Sequence, residues 1–136
     1  MLNTRILLII STLLLFISCK SSHEKSVAYI KEGNEMERNS EFSKAQDLYQ
    51  KAIDADPSNA AAWFYLGNAK RNMGMTKESI AEYNRAIELD SMFADAYANR
   101  GDAKFSLNDR DGSCKDYLKA ESLGKENMGE KTKWCK

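Results

Sequence analysis

Three cysteines and one histidine are the side chains best suited to covalent or metal chemistry in this chain, and their placement restricts what they can do. Cys19, Cys114 and Cys135 contain no C-x-x-C pair, and His23 lies close to the N-terminus, far along the chain from the last two. A thiol needs a nearby base or cation to become a nucleophile, and a zinc site needs four ligands. Catalytic residues, a metal site and a cofactor are therefore not expected, and neither is an enzyme. The carboxylates Glu78, Glu82 and Glu88 stand beside Lys77 and Arg85 at helical surface spacing, the pattern of a solvated, ion-paired face. With 20 basic and 20 acidic residues the formal net charge is zero, so nothing draws the chain to nucleic acid. What remains are groups suited to binding: Tyr65, and the asparagines Asn34, Asn68 and Asn99, whose amides both donate and accept.

The elements that would position these groups begin with a leader. One basic side chain, Arg5, precedes an apolar run from Ile6 to Ile17 that only Ser11 and Thr12 interrupt. Twelve helical residues rise about 18 Å, too short for a hydrocarbon core of about 30 Å. A charged start, a short apolar segment and a small residue form a secretory signal peptide, residues 1–18. Phe16-Ile17-Ser18-Cys19 resembles the lipobox of bacterial lipoproteins, with Phe16 where that motif most often has leucine. The resemblance implies that Cys19 is lipid-modified and becomes the new N-terminus, with residues 19–25 as a polar tether in which His23 is solvated and has no role. It also implies a bacterial envelope location, and Lys20 in place of the aspartate associated with inner-membrane retention favours the outer membrane. An uncleaved anchor on a cytoplasmic protein is the competing reading.

The remainder repeats with a period of 34. Gly33, Gly67 and Gly101 follow that spacing, as do Tyr49, Tyr83 and Tyr117, and Ala52, Ala86 and Ala120. Ala28, Ala62 and Ala96 do the same, each followed by an aromatic residue. Such a period marks a stacked helical array, in which each unit buries its apolar face only against its neighbours. Asn39-Ser40, Met73-Gly74-Met75 and Asn108-Asp109 mark turns inside the units. Asp56-Pro57-Ser58-Asn59 marks a boundary between units, with Pro57 suited to a helix start. Six helices of roughly 12 to 15 residues follow, paired antiparallel. A single proline among 136 residues agrees with an all-helical chain.

This pattern resembles the tetratricopeptide repeat. The second copy carries Trp63, Leu66, Gly67, Tyr83 and Ala86, with Lys70 and Ser79 as departures. The first carries Tyr29, Gly33, Ala45, Tyr49, Ala52 and Pro57; the third carries Tyr97, Gly101, Tyr117 and Ala120, with Arg100, Ser113 and Lys125 as departures. The resemblance implies an α-solenoid of three repeats, 26–59, 60–93 and 94–123, followed by a short C-terminal cap at 124–136. Met128 and Trp134 are expected to cover the third pair.

In such an array the first helix of each pair lines a concave groove. Repeat arithmetic places Ile30, Asn34, Phe64, Tyr65, Asn68, Arg71, Ala98, Asn99, Asp102 and Phe105 there. The expected function is an adaptor that binds a peptide or helix of another envelope protein. The competing function is a structural module that associates with itself or stabilises a larger assembly. A weaker reading is a glycan-binding surface built from Trp63, Tyr65 and Phe105. The family's best-known groove chemistry is a clamp on a chaperone's terminal carboxylate. Here Ile30 and Asp95 stand where the clamp has lysines, Asn99 stands where it has arginine, and Asp95 with Asp102 would repel a carboxylate.

Cys114 falls in the second helix of the last repeat and Cys135 in the cap that should fold over it. Outside the cytoplasm the two could form a disulfide. The alternative is a buried Cys114 acting as a small hydrophobe beside a free Cys135.

Overall fold

A computed structural model describes the backbone of residues 4–135 and the side chains of residues 21–135. The described helices are α1 (Thr4–Arg38), α2 (Phe42–Ala55), α3 (Ala60–Asn72), α4 (Thr76–Leu89), α5 (Ala94–Ser106), α6 (Arg110–Ser122) and α7 (Gly129–Thr132). They pack as α1 with α2, α3 with α4 and α5 with α6, and each pair stacks on the next through α2 against α3 and α4 against α5. The first helices also meet directly, α1 with α3 and α3 with α5, which makes them one side of an α-solenoid.

The side chain of Cys19 and those of the expected leader lie outside the described residues. Among the described residues no helix is long and apolar enough to cross a membrane. The stretch Ser21–Lys25, expected as part of a tether, belongs to α1 instead. No glycine or proline separates Cys19 from Gly33, so nothing there interrupts a helix. His23, expected to be solvated and without a role, places Nδ1 2.7 Å from Asp56 Oδ2. One turn on, fully buried Ser26 accepts from Asn59 Nδ2 at 2.9 Å. The N-terminal end of the solenoid is thus tied by side chains to the loop between the first two repeats.

Each pair turns at a residue in the left-handed region. Ser40 (φ 60°), Gly74 (φ 81°) and Asn108 (φ 66°) occupy equivalent places, and Gly124 (φ 87°) ends α6. At Gly74 the amide bonds to Arg71 O and the next amide, of Met75, reaches back to Lys70 O, both at 2.9 Å. Ser40, Asn108 and Gly124 repeat this pattern, which satisfies the last carbonyls of the helix and reverses the chain. Pro57 lies in the turn between repeats rather than at a helix start. Asn59 caps α3 by accepting from Ala61 N, and Pro57 O accepts from Trp63 Nε1. Trp63 is half-buried there, packed against the edge of the core.

Inside each pair a tyrosine lies against a glycine. A Cβ on Gly33, Gly67 or Gly101 would stand 2.5, 2.6 or 2.6 Å from Cε1 of Tyr49, Tyr83 or Tyr117. Ala45, Ala52, Ala62, Ala69, Ala86, Ala96, Ala103 and Ala120 are wholly buried around these contacts, keeping the helices close. Ser79 and Ser113 replace the alanine at Ala45's place. Both are buried, and each hydroxyl donates to a carbonyl of its own helix, Thr76 O or Arg110 O, at 2.8 Å.

The third repeat exchanges apolar contact for charge. Arg100 stands where the second repeat has Leu66, and Asp116 stands where the first has Leu48. Asp116 is 3% exposed. Arg100 grips it with two bonds, Nε to Oδ2 at 2.8 Å and Nη2 to Oδ1 at 2.5 Å, and Lys104 Nζ adds a third contact at 2.8 Å.

Beyond α6, Met128 is buried against Ala98, Tyr117 and Ala120, whereas Trp134 is 78% exposed and only borders a cavity at the third pair. Cys114 and Cys135 are joined by a disulfide, their Cα atoms 5.2 Å apart.

Three outcomes follow from this packing. Gly67→Ala should cost about 2–3 kcal/mol, because wholly buried Tyr83 has nowhere to yield. Gly129→Ala meets no atom within 4 Å and should be nearly neutral, both variants being read by urea titration. Asp116→Ala should cost about 3–5 kcal/mol by stranding Arg100 and Lys104. The triple replacement Arg100→Leu, Lys104→Met, Asp116→Leu should recover most of that, and an equal loss in both variants would refute this account. Finally, the Ser58 hydroxyl, and then His23, hold the Asp56 carboxyl below its usual value against the opposing effect of burial. Its contribution to stability is complete above the ordinary carboxylate range and is lost as pH falls through the lowered value. Asp56→Asn should therefore flatten that part of the acid unfolding curve and leave the neutral-to-alkaline part unchanged in shape.

Candidate peptide-binding groove

The buried tyrosines reach through the helix pairs to the concave side. Each carries a hydroxyl that must be bonded, and its partner is the residue after the facing glycine. Tyr49 Oη donates to Asn34 Oδ1 at 2.7 Å, Tyr83 Oη to Asn68 Oδ1 at 2.8 Å and Tyr117 Oη to Asp102 Oδ1 at 2.9 Å. Burial pushes the Tyr83 phenol up to about 12, and Tyr49 and Tyr117 are raised as well, chiefly by burial and further by Glu37 and Asp102. All three phenols are neutral donors at any physiological pH.

This arrangement decides how the amides face a ligand. With Oδ1 of Asn34 and Asn68 held inward, each Nδ2 group is the part left for the groove. Asn99 is turned the other way: its Nδ2 donates to Asn68 Oδ1 at 2.8 Å, which leaves its own Oδ1 as an acceptor. The floor between α1, α3 and α5 therefore presents two donors and one acceptor. Tyr65 lies beside them, stacked on Tyr49 with ring centroids 5.5 Å apart. A cavity of about 490 Å³ is lined by Asn34, Tyr65, Asn68, Arg71 and Asn99 together with Glu37, Arg38, Phe42 and Asn72.

Five of the expected groove residues, Asn34, Tyr65, Asn68, Arg71 and Asn99, thus come together. Asp102 sits at the edge, 3.6 Å from Arg71 Nη1. Phe64 does not line the cavity; one residue from Tyr65, it is rotated into an aromatic cluster with Phe93 at 4.8 Å and Tyr83 at 6.0 Å. Phe105 is also elsewhere. Six residues beyond Asn99 it faces away, into a second cavity of about 340 Å³ with Arg110, Tyr117 and Trp134. Ile30 and Ala98, also expected in the groove, are buried, Ile30 in the core between the first two repeats and Ala98 beneath the cap. Of the residues not foreseen, Glu37, Arg38 and Asn72 follow Asn34 and Asn68 at three or four residues, a spacing that was open to view. Phe42 begins α2, and only the pairing of α1 with α2 brings it in.

The expected repulsion by Asp95 and Asp102 is also corrected. Asp95 is paired with Lys125, and Asp102 with both Arg71 and Lys131. Glu37 is engaged by Asn72 Nδ2 at 2.9 Å. The groove is polar and close to charge balance rather than acidic.

Comparison with known proteins agrees with this architecture. Family models described as tetratricopeptide repeat match residues 48–81 and 94–127, and one described as TPR repeat matches residues 67–108. The RNA polymerase II-associated protein 3 of Xenopus tropicalis is 33% identical over 107 residues, covering 77% of this chain and 16% of that protein. The chain thus spans about a sixth of the length of that relative. The first TPR of Spaghetti (RPAP3) bound to the HSP90 peptide SRMEEVD shares the fold with a TM-score of 0.79 at 24% identity, over 82% of this chain and 90% of that one. The Arabidopsis OM64 TPR domain does so with a TM-score of 0.78 at 21% identity, over 84% and 95%. The matched segments together run from residue 48 to residue 127, and with the repeated helix pairs they show that this chain carries tetratricopeptide repeats.

Proposed function

We propose that the chain is an adaptor that binds an extended peptide segment of a partner protein in the groove between α1, α3 and α5. The observation that carries this reading is the asparagine row: Asn34 and Asn68 offer donors and Asn99 an acceptor, each oriented in advance by a bond inside the fold. Side-chain amides fixed in this way match the alternating carbonyls and amides of a peptide backbone, and Tyr65 adds contact area. The Spaghetti domain, described as bound to an HSP90 peptide, supports peptide binding by this fold. The grip here differs in kind. Ile30 and Asp95 stand where the carboxylate clamp has lysines and Asn99 where it has arginine, so the main chain of the ligand is held rather than a terminal carboxylate.

The adaptor would act at a bacterial envelope membrane, the outer one in preference to the inner, held there by acyl chains on Cys19. The support for this is the apolar run Ile6–Ile17 followed by Ser18-Cys19. Its partners would be other envelope proteins. A second reading, self-association without groove binding, draws on the exposed apolar side chains Phe105, Leu107, Leu118 and Trp134 gathered at the C-terminal end.

Cross-linked co-purification from native envelopes tests both readings. The parent chain should recover one dominant partner, and the Tyr65→Ala, Asn68→Ala, Asn99→Ala variant should lose it at least tenfold while remaining folded by circular dichroism. Recovery of only the chain itself, unchanged in the variant, would establish the second reading. Incorporation of labelled palmitate that disappears in Cys19→Ser would support the anchor, and its absence from the parent would remove it.

A further inference from the structure

The segment after α6 returns along the groove side of α5. Asp95, Asn99 and Asp102 are spaced four and three residues apart, so they share one face of α5, the face that carries Asn99 into the groove. Both carboxylates on that face are met by lysines of the returning segment. Lys125 Nζ pairs with Asp95 Oδ1, and Lys131 Nζ stands 2.5 Å from Asp102 Oδ1 and 5.2 Å from the centre of the Tyr117 ring. Through Asp102, which also faces Arg71, the charge of this segment reaches the cavity lining.

Little besides a covalent bond holds the segment there. α7 has four residues, well below the length at which a helix persists alone. Met128 is its one buried hydrophobic side chain, and the two lysines remain roughly two-fifths exposed, so their ion pairs are weak. The disulfide from Cys135 to Cys114 in α6 fixes the far end.

We propose that Lys125–Cys135 is a redox-held strap that sets the charge of the groove and hence the class of peptide it takes. This rests on the groove reading above. In the disulfide form the strap occupies Asp95 and Asp102 with its own lysines. A dithiol delivers two electrons and two protons to the S–S bond, leaving Cys114 and Cys135 as thiols and itself as a cyclic disulfide. The strap then leaves α5 and takes Lys125 and Lys131 with it. Asp95 is left without its lysine and Asp102 with Arg71 alone, and the groove selects a cationic peptide whose lysines replace those of the strap.

The full chain tests this in two steps. Amide hydrogen exchange should show the Lys131, Thr132, Lys133 and Cys135 amides, bonded within the strap, losing protection at least tenfold on addition of dithiothreitol. Amides of α3 and α4 should not change. Fluorescence anisotropy with a labelled octapeptide of alternating lysine and glycine should give a Kd at least fivefold lower after reduction. The matching glutamate–glycine peptide should gain nothing. Lys125→Gln with Lys131→Gln should move the lysine peptide in the same direction without reductant. A strap that keeps its protection after reduction, or a lysine-peptide Kd equal in both states, would overturn the proposal. If the lysine peptide gained on reduction equally in the Asn68→Ala, Asn99→Ala background, the strap would be supported and the groove reading would fall.

Discussion

Each helix pair closes on a contact that leaves no room for one methyl group. Gly33, Gly67 and Gly101 let a tyrosine ring from the second helix lie against the backbone of the first, and the surrounding alanines keep the axes close enough for that to happen. The spacing of the pair, the depth of the tyrosine and the register of the two helices are then set together, because a ring confined on every side allows only one arrangement. Stacking the pairs repeats this arrangement every 34 residues, which is why the solenoid has a groove of regular form at all.

The same contact builds the binding surface. A phenol driven into a close-packed interior still needs a partner for its hydroxyl, and the residue after each glycine accepts from across the pair, joined at Tyr49 by Glu37 Oε2 at 3.1 Å. Asn34, Asn68 and Asp102 fill that role. Core and groove therefore share side chains: the interior bond that satisfies Tyr83 is the bond that orients Asn68 toward a ligand. Where the third repeat has aspartate in place of asparagine, the acceptor brings a charge, and that charge collects Arg71 from one side and Lys131 from the other. The exchange of Leu48 and Leu66 for Asp116 and Arg100 at their equivalents makes the last pair more dependent on electrostatics than the first two.

Much of the architecture was legible in the residues because its causes are local. Turns at Ser40, Gly74 and Asn108 are short-range events, and the helical spacing that groups Asn34 with Asn68 and Tyr65 with Asn99 is a matter of arithmetic. The misreadings have one cause in common. Phe64 and Phe105 were assigned to the groove by repeat position alone, and a rotation of 100° per residue carried each onto another face. Ile30, Ala98 and Trp134 are placed by type and position, yet their depth depends on neighbours from other elements. His23 is exposed, as its polar surroundings in the sequence imply, but its partner Asp56 lies 33 residues away and only the fold brings the two together.

The sequence by itself determined that this chain is a row of helix pairs and where each pair turns, because periodicity and helix breakers act within one repeat. Only the tertiary structure decided the electrical character of the groove. Asp95 and Asp102 look acidic when read along the chain, but Lys125 and Lys131 return from 30 and 29 residues away to pair with them. Charge acts through space and not along the backbone, so which carboxylate is free is known only once the cap has been folded back over α5.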